Sequence, residues 1–231
     1  MAPRVSRNLT DGDMANLIDR SDPVILELGS YDGHDGKRFL DLFLDCRLWA
    51  WEADPRNIGL CRRTLADTRA SVLGQAIHHY DGVCPWYGSS GTPPDSYSGP
   101  PLPKANDWDQ SSSIHAPTGH LDFSPWVTFP ESRRSTVPCM RLDTWLESVE
   151  AFGDILVDFI WADLQGAEGD MVLGGVRTLS RTRYLYTESY ATPMYDTQLT
   201  TAELSAVMRV LDFELVAHYP SENVLFRNKR F

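Results

Sequence analysis

The stretch Val24-Ile-Leu-Glu-Leu-Gly-Ser-Tyr-Asp-Gly33 decides how this chain folds. Its first five residues are apolar apart from Glu27 and run straight into a glycine turn, the pattern of a buried β-strand. Phe39, Leu40, Phe43 and Leu44 follow as the apolar face of a helix. Leu48-Trp-Ala-Trp51 reads as a second strand, Pro55 suits the first turn of another helix through Ile58, Leu60 and Leu65, and residues 71–74 read as a third strand. Upstream, residues 10–20 predict a short helix, with Asp11 or Asp13 as a cap before Met14, Leu17 and Ile18. Strand and helix alternate, which is the signature of a parallel sheet with right-handed crossovers.

From residue 89 to residue 138 the alternation stops. Nine of the fifteen prolines lie there, among many serines and the aromatics Tyr97, Trp108, Phe123, Trp126 and Phe129. A disordered segment would be poor in aromatics. The stretch is therefore expected to be an insertion that orders as a cover over a functional site.

The alternation resumes with a helix start at Asp143-Thr-Trp-Leu-Glu147, Asp143 being the expected N-cap. Ile155-Leu-Val-Asp-Phe-Ile-Trp161 is the longest apolar strand and hence a central one. A helix over residues 168–179, a strand over 184–186 and a helix over 201–211 follow. Two last strands, 213–218 and 223–226, are joined by a turn at Tyr219-Pro-Ser-Glu222. The predicted fold is α/β: a doubly wound, mostly parallel seven-stranded sheet, helices on both faces and a C-terminal antiparallel hairpin. At 231 residues, one domain spanning 1–231 with the 89–138 insertion is the expected organisation.

Bulk properties narrow the function. Hydrophobic residues make up 42% and charged residues 23%, ordinary for a globular chain. No apolar run of about 18 residues exists and no signal-peptide core opens the chain, so no membrane span and a cytoplasmic location are expected. Cys46, Cys61, Cys84 and Cys139 are scattered without zinc-ligand spacing and read as free thiols. A net charge of −11 argues against nucleic acid as a partner.

In an open parallel sheet, ligands bind beyond the carboxyl ends of the strands, where the strand order reverses. Glu27-x-Gly29-x-x-x-Gly33 sits there, and glycines let a backbone approach a ligand closely. Glu52, just past the second strand, can accept hydrogen bonds from both hydroxyls of a ribose. Any adenosine cofactor fits these two features. A dinucleotide loop needs glycine where this chain has Tyr31, which would obstruct a pyrophosphate. S-adenosylmethionine has no pyrophosphate, and its positive sulfonium suits a loop carrying Glu27 and Asp32. A nicotinamide oxidoreductase is further disfavoured by the lack of a Tyr-x-x-x-Lys pair.

Leu26-Glu-Leu-Gly-Ser-Tyr-Asp-Gly33, Trp51-Glu-Ala-Asp-Pro55 and Phe159-Ile-Trp-Ala-Asp-Leu-Gln-Gly-Ala-Glu168 together resemble the FkbM family of methyltransferases. That family reads roughly D-x-G-A-N-x-G, F-E-P and I-K-x-D-x-E-G-x-E in the same order. The resemblance spans residues 24–226, least in the insertion. Ser30-Tyr31 stand for Ala-Asn, Trp161 for the usual Lys and Gln165 for the usual Glu. The resemblance implies the Rossmann-like class I methyltransferase fold and S-adenosylmethionine as cofactor. It places Glu27, Gly29 and Gly33 around the methionine end, Glu52 at the ribose, and Gln75 and Ala76 beside the adenine, with Ser30, Tyr31 and Ala53 as further cofactor-binding residues. It also implies O-methylation of a hydroxyl on a small molecule or glycan. A non-catalytic module that keeps the fold and the cofactor is the alternative left open by Trp161 and Gln165.

Methyl transfer from a sulfonium has a good leaving group, so proximity and alignment are the main requirements. A hydroxyl acceptor also gains from a base or a metal. Asp163 closes the central strand and Glu188 lies just past the next one. They are candidate catalytic residues, or oxygen ligands for a divalent cation such as Mg2+. Gln165 is a neutral ligand or a substrate partner. Asp163 could equally cap its own loop, and Glu168 could serve only the start of a helix. His115, in the insertion, is the histidine candidate. His78-His79 read as a strand end with no visible partner. Tyr97, Trp108, Trp126 and Phe129 could stack on a sugar or aromatic ring, or simply anchor the insertion.

Overall fold

The computed structural model describes residues 8–67, 69–94, 107–150 and 154–231, so Tyr97 lies outside the described residues. The first helix, α1 (Asp11–Ile18), is capped by Thr10 rather than by Asp11 or Asp13. The Thr10 hydroxyl accepts the Asp13 N–H at 3.1 Å and the Asp13 carboxylate accepts the Thr10 N–H at 3.2 Å, a reciprocal capping box. Alternation then runs β1 (Val24–Leu28), α2 (His34–Leu42), β2 (Arg47–Trp51), α3 (Ile58–Thr64) and β3 (Ala70–Leu73). There follow β4 (Ala76–Ile77), β5 (Gly82–Tyr87), β6 (Ser90–Gly91), α4 (His120–Phe123), β7 (Val127–Thr128) and β8 (Arg134–Met140). The second half contains α5 (Leu142–Glu150), β9 (Val157–Ala162), α6 (Glu168–Gly174), α7 (Val176–Ser180), β10 (Thr182–Glu188), α8 (Thr201–Val210), β11 (Phe213–His218) and β12 (Asn223–Asn228).

The main sheet has seven strands in the order β11-β12-β10-β9-β1-β2-β3. All neighbours are parallel except the two pairs made by β12, which are antiparallel. The predicted doubly wound sheet with its closing hairpin is therefore present. The chain winds outward from β1 through β2 to β3, then returns to β9 on the other side of β1. That reversal opens a crevice beyond Leu28 and Ala162, the last paired residues of β1 and β9.

Side chains of a strand alternate between faces. Val24, Leu26 and Leu28 join one core cluster with Trp51, Leu146, Ile160 and Met171. Ile25 joins a second with Phe39, Leu40, Leu48 and Phe159. Glu27 shares the face of Ile25 and is thereby driven under α2. All four cysteines are buried free thiols.

Three further local readings need correction. Residues 168–179 form two helices, because the chain breaks at Gly174-Gly175. A Cβ on Gly174 would fall 2.3 Å from the His78 carbonyl oxygen, so the end of α6 presses backbone to backbone on the strand end after β4. Asp143 lies inside the first turn of α5 and caps a different helix. Its carboxylate accepts the N–H groups of Arg177 (3.1 Å) and Thr178 (2.8 Å) and the Thr178 hydroxyl (2.9 Å) at the start of α7. Finally, the insertion contributes to a second sheet in the order β4-β8-β5. Pro138, which has no N–H to give, pairs with Val83 of β5 and lies beyond the reach of the two-residue β4, which ends the β8 pairing at Cys139 and Met140.

Candidate active site

The crevice holds a cavity of about 670 Å³, within the range of small-molecule sites. Its wall includes Glu27, Gly29, Ser30, Tyr31, Glu52, Ala53, Gln75, Ala76, Asp163 and Gln165. Gly33 is not part of that wall. It has a positive φ of 81° as the N-cap of α2, and a Cβ there would meet the Leu65 side chain at 3.0 Å. Its role is to let the loop close against α3.

Gly29 is where the two halves of the crevice touch. Its φ is 87°, and a Cβ would fall 2.0 Å from the Asp163 carbonyl oxygen. The Asp163 N–H in turn donates to the Leu28 carbonyl at 2.8 Å. Only glycine allows the β1 loop to lie flat on the end of β9.

Glu27 is 2% exposed. One carboxyl oxygen accepts the Gly36 N–H of α2 at 3.1 Å, while Oε2 has no protein partner. Gly36 must be glycine for this, since a Cβ would stand 2.4 Å from Oε2. Burial, with Asp35 and Asp32 nearby, pushes the Glu27 carboxyl up to about 8. Glu52 is 6% exposed and is held by the N–H groups of Tyr31 and Asp54, each at 2.6 Å. Burial pushes it up to about 8 as well, against the pull of those N–H groups. The cavity wall carries Glu27, Asp32, Asp35, Glu52, Asp54, Asp109 and Asp163 and, among the described residues, no Lys or Arg. Such a wall repels phosphate and suits a cation.

Beside this cavity lies a smaller one of about 230 Å³, and the two share Gln110, Asp163 and Gln165. Glu188, Tyr190, Tyr195, His120 and Trp108 line the smaller one. Gln165, itself at φ 49°, ties the floor together. Its Nε2 donates to Asp163 at 2.6 Å and reaches Glu188 at 3.4 Å, and its Oε1 accepts the Tyr195 hydroxyl at 2.8 Å. Asp163 opens onto the cavities yet is walled by protein, and burial raises its pKa despite the Gln165 hydrogen bond. Burial, then Asp163, pushes Glu188 up to about 8, and burial pushes Glu168 up to about 7.

The described residues of the insertion are anchored beside both cavities, whose walls they share. The Ser113 hydroxyl donates to the Gln165 carbonyl at 2.7 Å, the Tyr195 hydroxyl reaches the Ser111 carbonyl at 2.8 Å, and Arg56 holds the Ser89 carbonyl and the Ser112 hydroxyl. Trp108 stacks edge-on against Trp126, and Phe129 against His120 and Tyr195. His115 stands away from both walls and faces Asp170 at 2.7 Å. His78 and His79, without a visible partner in the sequence, converge on the same Asp170. The sequence also hid His120, a buried imidazole whose Nδ1 lacks a protein partner, and Tyr195. His120 opens the one-turn helix α4 and Tyr195 lies in an irregular segment, and neither stretch is long enough for a periodicity to mark it.

A profile of the Methyltransferase FkbM domain matches residues 28–215. The chain belongs to the FkbM methyltransferase family. Its methyl donor is accordingly S-adenosylmethionine. The chain is 36% identical over 222 residues to the 2-O-methyltransferase NoeI of Sinorhizobium fredii (strain NBRC 101917 / NGR234), a match covering 94% of this chain and 84% of that protein. Among solved structures it is similar to the pyocyanin biosynthetic protein PhzM, with a TM-score of 0.44 and 12% identity, over 96% of this chain and 55% of that one. It is also similar to the fibrillarin pre-rRNA processing protein of Methanococcus jannaschii, with a TM-score of 0.47 and 12% identity, over 90% of this chain and 66% of that one. No helix among the described residues is long and apolar enough to cross a membrane.

The departures from the FkbM pattern have visible surroundings. Trp161, in place of Lys, stacks on Tyr186 (centroids 4.4 Å apart) and Phe39 (5.5 Å), with the Arg38 guanidinium 4.9 Å from its ring centre. A cation thus still lies at this position, supplied by α2.

Proposed function

We propose that this FkbM methyltransferase transfers the methyl group of S-adenosylmethionine to a hydroxyl of a sugar or other small molecule. The observation that carries the reading is the adjacency of the two cavities, which share Gln110, Asp163 and Gln165 in their walls. The larger fits the cofactor on two counts: an acidic wall with no Lys or Arg among the described residues, and the buried Glu27 Oε2 without a protein partner. In this reading Glu27, Gly29, Ser30 and Tyr31 surround the methionine end, with Gly33 setting the loop. Glu52 and Ala53 hold the ribose, and Gln75 and Ala76 flank the adenine. The cofactor supplies an electrophilic methyl on a positively charged sulfur.

The acceptor then occupies the smaller cavity. Glu188 and Asp163 face its hydroxyl, and their raised pKa values suit the task of taking up the proton that methylation releases. The Trp108 and Tyr195 rings give it apolar walls, while the insertion keeps water out. A divalent cation such as Mg2+ could use the same two carboxylates only if Gln165 turned its Oε1 toward them. The metal-free arrangement needs no such change and is the one proposed. His115 takes no part in the chemistry.

Calorimetric titration with S-adenosylmethionine and its demethylated product tests the cofactor half. Binding is expected for the wild type and a loss of at least about tenfold in affinity for Glu52→Ala, because two ribose hydrogen bonds to a buried carboxylate go. Methylation assays over a panel of sugars and phenols test the acceptor half. Activity that disappears on exhaustive chelation and returns with Mg2+ would overturn the metal-free arrangement.

A further inference from the structure

Outside the active site, three histidines and one aspartate meet where the insertion touches the body. His78 and His79 follow β4, Asp170 lies on α6, and His115 comes from the insertion. His78, His79 and Asp170 each place a donor atom within 4.8 Å of the other two. His79 Nδ1 contacts Asp170 Oδ1, and His115 Nε2 lies 2.7 Å from Oδ2. The third contact, made by His78, is the informative one. His78 Nδ1 accepts the His79 backbone N–H at 2.9 Å, so it carries no proton, yet it stands 3.4 Å from Asp170 Oδ1. His78 Nδ1 and Asp170 Oδ1 therefore stand together with no hydrogen bond joining them, and a cation that displaced the His79 N–H would bridge them.

We propose that His78, His79 and Asp170 form a binding site for one divalent transition-metal ion of the zinc class. Two imidazoles and a carboxylate are a common ligand set for such ions, and three protein ligands leave room for water. His115 is the supporting partner. Its Nε2 holds the second oxygen of Asp170 while its Nδ1 meets the Thr197 hydroxyl at 3.2 Å, as outer partners orient ligands elsewhere. The frame is rigid: His78 N–H donates to the Met140 carbonyl at 2.9 Å, and the end of α6 is pressed against the His78 backbone at Gly174. Entry is open, because the His79 side chain is 48% exposed. Ligation by His78 Nδ1 displaces only the N–H of the next residue at a water-accessible strand end. An ion here would pin the insertion to α6 without touching the methyl-transfer cavities, so the proposal goes beyond the proposed reaction and does not depend on it.

The test is equilibrium dialysis of the full chain against Zn2+, with Co2+ absorption spectra as a second probe. One equivalent of Zn2+ per chain is expected, with affinity falling at least tenfold in His79→Gln and in Asp170→Asn, and less in His115→Gln. Asp163→Asn is expected to bind Zn2+ like the wild type, which separates this site from the carboxylates of the crevice. His79 is half exposed, so its variant carries the result if Asp170→Asn fails to fold. Absence of Zn2+ and Co2+ binding by folded wild-type protein overturns the proposal and leaves an ordinary His–Asp cluster. Binding that is unchanged in His79→Gln, or that is lost in Asp163→Asn, overturns it equally.

Discussion

Glu27→Gln isolates the electrostatic tension of the crevice. The Glu27 carboxyl is pushed up to about 8 by burial and by Asp35 and Asp32, from a reference of 4.5. Between those two values the folded chain holds a proton that the unfolded chain has released. Stability attached to this group is therefore complete below pH 4.5 and drains away as pH rises toward 8. A group that keeps its proton across this interval costs about 1.4 kcal/mol for every tenfold fall in proton concentration, which bounds the loss at about 5 kcal/mol. Glu52, Glu168 and Glu188 are raised in the same direction. They cannot all contribute in full, since a domain is stable by only about 5–15 kcal/mol. We expect cofactor-free wild-type protein to lose stability from pH 5.5 to pH 8.5, and Glu27→Gln to lose about 2 kcal/mol less over that span, somewhat under half the bound. Urea denaturation at four pH values measures both. Saturating S-adenosylmethionine should flatten the wild-type curve, because a bound cation favours the ionised carboxylates. Parallel wild-type and variant curves without cofactor would refute the assignment of Glu27 as a buried, protonated acid.

Three further outcomes follow from single contacts. Gly29→Ala should destabilise the protein by about 2–3 kcal/mol or more, since its Cβ collides with the Asp163 carbonyl at a positive φ; a denaturation midpoint equal to wild type would count against the close approach. Asp143→Ala should cost about 2 kcal/mol by uncapping α7, with faster amide exchange at Arg177 and Thr178 than elsewhere in the helical layer. Tyr195→Phe should lower kcat about tenfold, or about 1.4 kcal/mol, by freeing Gln165, while cofactor affinity measured by calorimetry stays unchanged.

What the sequence revealed and what it hid divide along physical lines. The strands β1 and β9 are buried along nearly their whole length, so each is written as an apolar run broken by a single carboxylate, Glu27 or Asp158. Glu27, Gly29 and Glu52 were legible because one turn or strand end fixes each of them locally. The break between α6 and α7 was not, because a glycine pair inside a helical pattern gains its meaning only from the His78 carbonyl, almost a hundred positions away in the chain. β8 was obscured by Pro138 and by a first half that faces solvent. Asp143 was assigned to the nearer helix, though its carboxylate serves the more distant one. His120, Tyr195 and the Asp170 cluster are brought together from elements far apart in the chain, and nothing in their local pattern announces a shared surface.

Gln165 shows how one departure from a family pattern can carry mechanism. FkbM-like chains usually have Glu at this place in the third motif. A third carboxylate between Asp163 and Glu188 would require a proton or a cation to hold it there, because three like charges in a buried crevice repel. The carboxamide needs neither. Its Nε2 hydrogens face the two acids, and its Oε1 takes the Tyr195 hydroxyl, so both ends of the amide are matched. The same side chain thereby links the ends of β9 and β10 to the loop bearing Tyr195, and its own carbonyl accepts the Ser113 hydroxyl of the insertion. The floor of the acceptor cavity and its cover are joined through one residue. Gln165 sits at a left-handed φ of 49°, which other non-glycine residues adopt only when the surroundings fix it. Here the surroundings are hydrogen bonds to Asp163, Glu188, Tyr195 and Ser113, and the strain and the network explain each other.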